Sequence, residues 1–164
     1  MRRKKWKFLL WLALTCAWLV LIFVKSAQTY SEQDIRPLLA EWLPYDLLMK
    51  WLPHIEFYYD HGLVTSTQPY DFIEFFIRKG GHVTEYLVLC FLSVMTLLAK
   101  PAGRVTAVLA GTVFSVLYAA SDEWHQSFVA GRTGHAIDVG VDAIGAVLMA
   151  LIFTAVFLIA GRKK

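Results

Sequence analysis

The amino-acid sequence predicts an all-α, polytopic membrane protein: four transmembrane helices with an amphipathic outer segment between the first and second. Three observations carry that prediction. Hydrophobic residues make up 57% of the 164-residue chain and charged residues 18%, with mean hydropathy +0.51, against roughly 45–50% apolar content in a soluble domain. The apolar residues are gathered into four long runs instead of short amphipathic periods. The basic residues cluster at alternate ends of those runs. Disorder, a collagen-like fibre and a disulfide scaffold are excluded, because aromatics reach 15%, glycine has no triplet repeat and both cysteines lie inside apolar runs. Cys16 and Cys90 are therefore expected as buried packing residues and not as a bridge.

The first run, Phe8 to Val24, is uncharged and flanked by Arg2, Arg3, Lys4, Lys5 and Lys7 before it and Lys25 after it, and is long enough to span. A cleavable signal peptide would have a shorter apolar stretch and a small-residue cleavage site, for which Lys25-Ser26-Ala27 is a poor candidate. The second crossing is expected at Gly81 to Ala99, the third from Val105 to about Trp124, and the fourth from about Ile137 to Ala160. Each is near the ~20 residues that ~30 Å of hydrocarbon demands. Lys100-Pro101-Ala102-Gly103-Arg104 has turn chemistry. The chain thus divides into a first helix with its basic N-terminus (1–25), an outer-face amphipathic segment (26–77) and a three-helix core (78–164).

Charge predicts direction, since Lys and Arg near helix ends are retained in the cytoplasm. Ten of the sixteen bases fall on one face: five before the first crossing, Lys100 and Arg104 in the link, and Arg162, Lys163 and Lys164 at the end. All thirteen acids fall on the other side or in the outer helix ends. Both termini are then expected in the cytoplasm of a cell-membrane protein, with residues 25–80 and 125–136 outside. The net charge of +3 reflects this topology and gives no support to nucleic-acid binding.

The segment between Lys25 and Gly80 is too apolar for a free loop. Ile35, Leu38, Leu39, Trp42 and Leu43 recur at helical spacing opposite Glu32, Asp34, Arg36 and Glu41, the pattern of an interfacial helix. Pro44 and Pro53 punctuate it, and Trp42, Tyr45, Trp51, Phe57, Tyr58 and Tyr59 suit headgroup depth. His54 and His61 are expected in solvent. Thr67 ahead of Pro69 reads as a helix start, with Phe72, Ile73, Phe75 and Phe76 on the apolar side.

Charges within spanning helices are expensive and face a bundle interior or a watery cavity. Here they share one depth: at about 1.5 Å per residue from the cytoplasmic ends, they run from about 22 Å (Glu85) through His82, Asp122 and Asp142 to about 36 Å (Asp138). Residues three and four apart share a helix face. Lys79, His82 and Tyr86 therefore go together, and Asp138, Asp142 and Gly145 go together. Ala107, Gly111, Ser115 and Ala119 form a small-residue stripe that permits close helix approach and leads into Asp122 and Glu123.

Three elements carry a family resemblance: Arg78-Lys79-x-x-His82-x-x-Glu85-Tyr86, Ser121-Asp122-Glu123-x-His125-Gln126-x-Phe128-Val129-x-Gly131-Arg132, and Gly134-x-x-x-Asp138-Val139-x-x-Asp142-x-x-Gly145. Together they resemble the VanZ family of bacterial membrane proteins over roughly Arg78 to Leu151. Ala130 replaces the proline common before the Gly-Arg pair, and His135 a common glutamine. The resemblance implies a small multi-pass cell-membrane protein linked to glycopeptide antibiotic resistance, teicoplanin in particular, and supplies no known reaction.

Three functions stay open. The first is an outward-facing pocket for the headgroup of a membrane lipid or lipid-linked cell-wall precursor, or for a lipoglycopeptide. Lys79 and Arg132 would hold phosphate or carboxylate, Tyr86 and Trp124 would stack, and Glu123 and Gln126 would line the site. The second is a metal-dependent membrane hydrolase or transferase, with His82 or His125 as general base, Glu85 beside them, and Asp122, Asp138 and Asp142 on a divalent cation. The third is an ion-pair cluster without ligand. Counted together, Glu85, Asp122, Glu123, Asp138 and Asp142 exceed Arg78, Lys79 and Arg132 by two charges. The expected relief is magnesium, calcium or manganese in preference to zinc. No His-Glu-x-x-His pair, Gly-rich nucleotide loop or Gly-x-Ser-x-Gly elbow occurs, and Thr133-Gly134-His135 lacks the companion elements of a lipid-phosphatase motif.

Overall fold

The computed structural model describes residues 2–60, 62–132 and 134–162. Its elements are α1 (Arg2–Ser26), α2 (Arg36–Trp42), α3 (Tyr45–Trp51), β1 (Glu56–Tyr59), β2 (Gly62–Thr65), α4 (Pro69–Leu98), α5 (Arg104–Gln126) and α6 (Ala136–Arg162). The four long helices α1, α4, α5 and α6 are long and apolar enough to cross a membrane, at the four positions expected. The helix α4 is the hub, packing against α5, α6 and α1 and receiving β2, α2 and α3 at its N-terminal end.

Lipid gives helices no hydrophobic reason to associate, so close packing and polar contacts hold them. The small-residue stripe of α5 does this on its α4 side: Ala107, Ser115 and Ala119 are fully buried, and a methyl group on Gly111 would lie 2.6 Å from Val94 Cγ2. Gly145 brings α6 closer still. A methyl group there would collide with the Val83 carbonyl oxygen and lie 2.9 Å from the Leu87 nitrogen. Between these contacts Cys90, Val94, Ala107, Val108, Ala146 and Phe153 form an apolar core. Cys90 is buried and Cys16 is exposed on α1, and both are free thiols. The expectation of burial fails for Cys16 because α1 touches the core along one face and presents most of its apolar surface outward.

The helix α4 begins well before the expected crossing. Its 30 residues reach about 45 Å, longer than a ~30 Å hydrocarbon layer. The helix starting near Pro69 and the second crossing are thus one continuous rod. Pro69 occupies its first turn, where a missing N–H costs nothing. Gln68 is the N-cap residue, while Thr67 bonds back to Thr65 (3.0 Å).

The segment before α4 is less helical than its hydropathy suggests. The short α2 falls within the expected interfacial helix, and α3 sits between the two prolines. Glu56 to Thr65 instead form an antiparallel hairpin in the register Glu56↔Thr65, Phe57↔Val64, Tyr58↔Leu63 and Tyr59↔Gly62. Aromatic and β-branched residues on both arms favour a pleated surface. Asp60, with φ 53°, takes the left-handed conformation that aspartate tolerates in a tight turn. Phe57 packs edge-on to Phe75 (5.8 Å) and Tyr59 to the same ring (5.0 Å), docking the hairpin on α4. Trp42, Trp51 and Tyr58 are largely exposed, and His54 is exposed as expected. The expectation for His61 lies outside the described residues.

Candidate functional site

The N-terminal part of α4, the C-terminal end of α5 and the start of α6 meet at one end of the bundle, and nearly all its buried charge is there. Asp122, Glu123, Gln126 and Asp142 are each at most 6% exposed. Gly134 lets the α5–α6 hairpin close over them, since a methyl group there would collide with the Glu123 carbonyl oxygen.

These groups sort into pairs by helix and height. Asp138 pairs with Lys79 and accepts a hydrogen bond from the Tyr59 hydroxyl. The Lys79 ammonium lies 4.5 Å from the centre of the Tyr59 ring. Burial raises the Tyr59 pKa, and the bond to Asp138 raises it further. Glu85 pairs with Lys25 at the end of α1. His82 turns toward α6, with Nδ1 3.2 Å from Asp142 Oδ1. Gln126 donates to Asp122 Oδ2 at 2.9 Å. His135 pairs with Asp60 of the hairpin turn (2.7 Å), and its backbone N–H reaches Glu123 Oε2 at 3.2 Å.

Arg132 and Arg78 stand apart from this pairing. Arg132 donates to neutral oxygens: Gln126 Oε1 at 2.9 Å, Gln33 Oε1, and the Ser26 carbonyl at 3.4 Å. Burial lowers its pKa, and nearby Arg78 adds to that shift against the opposing pull of Asp122, Glu123 and Glu85. Arg78 lies 5.1 Å from the centre of the Tyr30 ring and makes no ion pair among the described residues. Both guanidiniums line a cleft of about 720 Å³, along with Lys79, His82, Tyr30, Tyr59, Phe75 and Asp138.

The expected site residues are thus gathered only in part. Lys79, His82, Gln126 and Arg132 line the cleft. Tyr86 is fully buried below it, and Trp124 points away, 70% exposed and packed on Phe128, so neither can stack a ligand there. The aromatic walls are Tyr30, Tyr59 and Phe75. His125 packs against Phe23 (4.7 Å) and Ser26 of α1, away from His82. Of the three aspartates expected on a cation, Asp138 is taken by Lys79 and Tyr59, and Asp122 by Gln126. The potential metal ligands that converge among the described residues are His82, Glu123 and Asp142. Thr133 lies outside the described residues. Arg78 had appeared only in the motif and charge count. Tyr30, Gln33 and Asp60 carried no signal, because they belong to the segment outside the motifs.

The fold and this end of the bundle define a multi-pass membrane protein whose spanning helices bury a polar site at one end. A comparison with protein families makes the class specific: the family model described as VanZ/LLP1 matches residues 11–158. The chain belongs to that VanZ-like family. The match extends well upstream of Arg78, where the quoted motifs begin, and takes in most of α1 and the whole segment before α4. No curated protein and no solved structure matches the chain.

Proposed function

We propose that the cleft binds the anionic headgroup of a cell-envelope lipid, a lipid-linked cell-wall precursor or a lipoglycopeptide, facing outward from a cell membrane with both chain termini in the cytoplasm. The observation that carries this reading is the pair of guanidiniums, Arg78 and Arg132, lining one cleft without a carboxylate partner among the described residues. Guanidinium presents a planar fork that grips phosphate or carboxylate at two points. Lys79, already shared with Asp138, adds positive potential beside them. The location at the end of four apolar spans suits a ligand whose tail stays in lipid. The family context points to tolerance of glycopeptide antibiotics, teicoplanin in particular. A metal-dependent hydrolase or transferase acting on the same headgroup is the second reading, favoured by the convergence of His82, Glu123 and Asp142 beneath the cleft.

The test is binding of the purified protein to nanodiscs containing a polyprenyl diphosphate, a phosphatidylglycerol or a neutral phosphatidylcholine. Binding is expected for the diphosphate or the anionic lipid and not for the neutral one. Arg132→Lys, which keeps the charge and loses the fork, should weaken it about tenfold, as expected for about 1.4 kcal/mol. Equal binding to all three lipids, or full affinity in Arg132→Lys and Arg78→Met, would overturn the reading.

A further inference from the structure

We infer that His82, Glu123 and Asp142 form a site for one divalent transition-metal ion, with Mn2+ and Zn2+ the ions its donors fit. Each residue offers one ligand atom, and the three atoms lie within 4.8 Å of one another. They come from α4, α5 and α6 respectively, so an ion there would tie all three core helices together. This inference stands on the trio alone and does not require the headgroup reading.

The second observation is what these atoms lack. Asp142 is fully buried and Glu123 is 4% exposed. Neither oxygen of Asp142 has a hydrogen-bond partner among the described residues, nor does Glu123 Oε1 or His82 Nδ1. The 3.2 Å approach of His82 to Asp142 is within reach but without hydrogen-bond alignment. Glu123 is steered by its other oxygen, which takes the His135 N–H. Two buried carboxylates are strongly destabilising unless a positive charge meets them. The neighbouring ammoniums are committed elsewhere, Lys79 to Asp138 and Lys25 to Glu85. A single imidazolium could neutralise one carboxylate and leave the other.

The donor set selects the ion. Calcium takes six to eight oxygens and magnesium keeps a shell of waters, so neither suits a buried imidazole. One imidazole and two carboxylates lie between the preferences of manganese and zinc. Ligands about 2.1 Å from a tetrahedral ion stand about 3.4 Å apart, so no pair has to close by more than about 1.4 Å, within the reach of side-chain rotation. His82 also lines the cleft, which gives an ion its route in and leaves one face open to an oxygen of water or of an anionic ligand.

The test uses full-length protein purified in detergent and loaded separately with Mn2+ or Zn2+. Elemental analysis should find one ion per chain, and chelator should remove it and lower the melting temperature by about 5 °C. Glu123→Gln and Asp142→Asn should each lose the ion, while the exposed Glu41→Gln retains it. Pulsed electron paramagnetic resonance of the Mn2+-loaded wild type, which needs no variant, should show coupling to one imidazole nitrogen. Absence of bound Mn2+ and Zn2+, absence of that coupling, or retention of the ion by both trio variants would each overturn the assignment.

Discussion

The same three helices build two different interiors. In the half of the bundle toward Leu98 and Arg104, α4, α5 and α6 meet through Cys90, Val94, Ala107, Val108, Ala146 and Phe153, with no ionised side chain among them. In the other half they enclose Asp122, Glu123 and Asp142, and the polar residues around these, Glu85, Arg132, Asp138 and His135, take partners from outside the three helices: Lys25 of α1, Gln33 beyond it, and Tyr59 and Asp60 of the hairpin. Small residues let the backbones approach in both halves. The apolar half needs only volume to be matched, whereas the polar half also needs each charge to find its partner. That is why the segment between α1 and α4 packs over the polar end.

The largest expected effect comes from breaking the shared feature. Gly145→Ala drives a methyl group into the α4 backbone at Val83 and Leu87. Backbone cannot turn aside, so a loss of more than about 3 kcal/mol is expected, at the upper end of overpacking costs. Gly111→Ala meets chiefly the Val94 side chain and should cost about 1–2 kcal/mol. Gly140, whose added methyl would touch nothing within 4 Å, should gain up to about 1 kcal/mol from alanine's helix propensity. Thermal unfolding in detergent ranks the three. A Gly111 variant less stable than the Gly145 variant would mean that the apolar half carries the tighter joint.

The ranking also marks what the sequence makes legible. The four crossings follow from hydropathy, with ends within two residues except at the starts of α1 and α4, which lie six and twelve residues earlier because the charged stretches Arg2 to Lys7 and Arg78-Lys79 interrupt the apolar runs. The inward faces followed from spacing: the α5 stripe is buried from Ala107 to Ala119, and Asp142 and Gly145 share the face that meets α4. Pairing across helices is a different matter. Asp138 and Asp142, one turn apart, meet different residues of α4: Asp138 pairs with Lys79 and Asp142 lies 3.2 Å from His82, and periodicity along α6 does not encode which residues of a neighbouring helix face it. The hairpin is not legible in the sequence because its arms are four residues each, too short for alternation to stand out beside the neighbouring aromatics.

A smaller effect should come from the pair joining the two regions' surroundings, Lys79 and Asp138, whose side chains are 16% and 15% exposed. Removing one partner strands the other in a half-dry site. Asp138→Ala is expected to cost about 3 kcal/mol, and Lys79→Met a similar amount. The double variant Lys79→Met/Asp138→Leu should cost less than the sum of the two by at least about 1 kcal/mol, with the Tyr59 hydroxyl left as the unrelieved remainder. Strict additivity would show that the polar half is held by its packing, like the apolar half, and that its ion pairs are incidental.

The smallest effect lies outside the bundle, where Arg36 straps α2 to α4. It bonds Asp34 at 2.8 Å and Asp71 at 2.7 Å, and lies 3.8 Å from Glu74. Asp34 also accepts the Arg36 backbone N–H at 2.9 Å. The side-chain bond to Arg36, followed by this backbone bond, lowers the Asp34 pKa from the ordinary carboxylate range to about 2, while Asp34 raises that of Arg36. A carboxyl whose pKa is lower folded than unfolded stabilises the fold above the unfolded value, near 3.9, and loses that contribution as pH falls toward the folded value. Opening of α2, followed by hydrogen exchange at residues 36–42, should therefore increase as pH drops from about 4 to about 2, while the core of α4 stays protected. Asp34→Asn should make α2 open more readily at pH 6 and flatten this acid response. The strap is solvent-exposed, so the change should remain local and shrink with added salt. If exchange in the core of α4 rises in step with α2, the outer segment and the bundle unfold as one unit, and the contrast between a locked interior and a separately fastened cover fails.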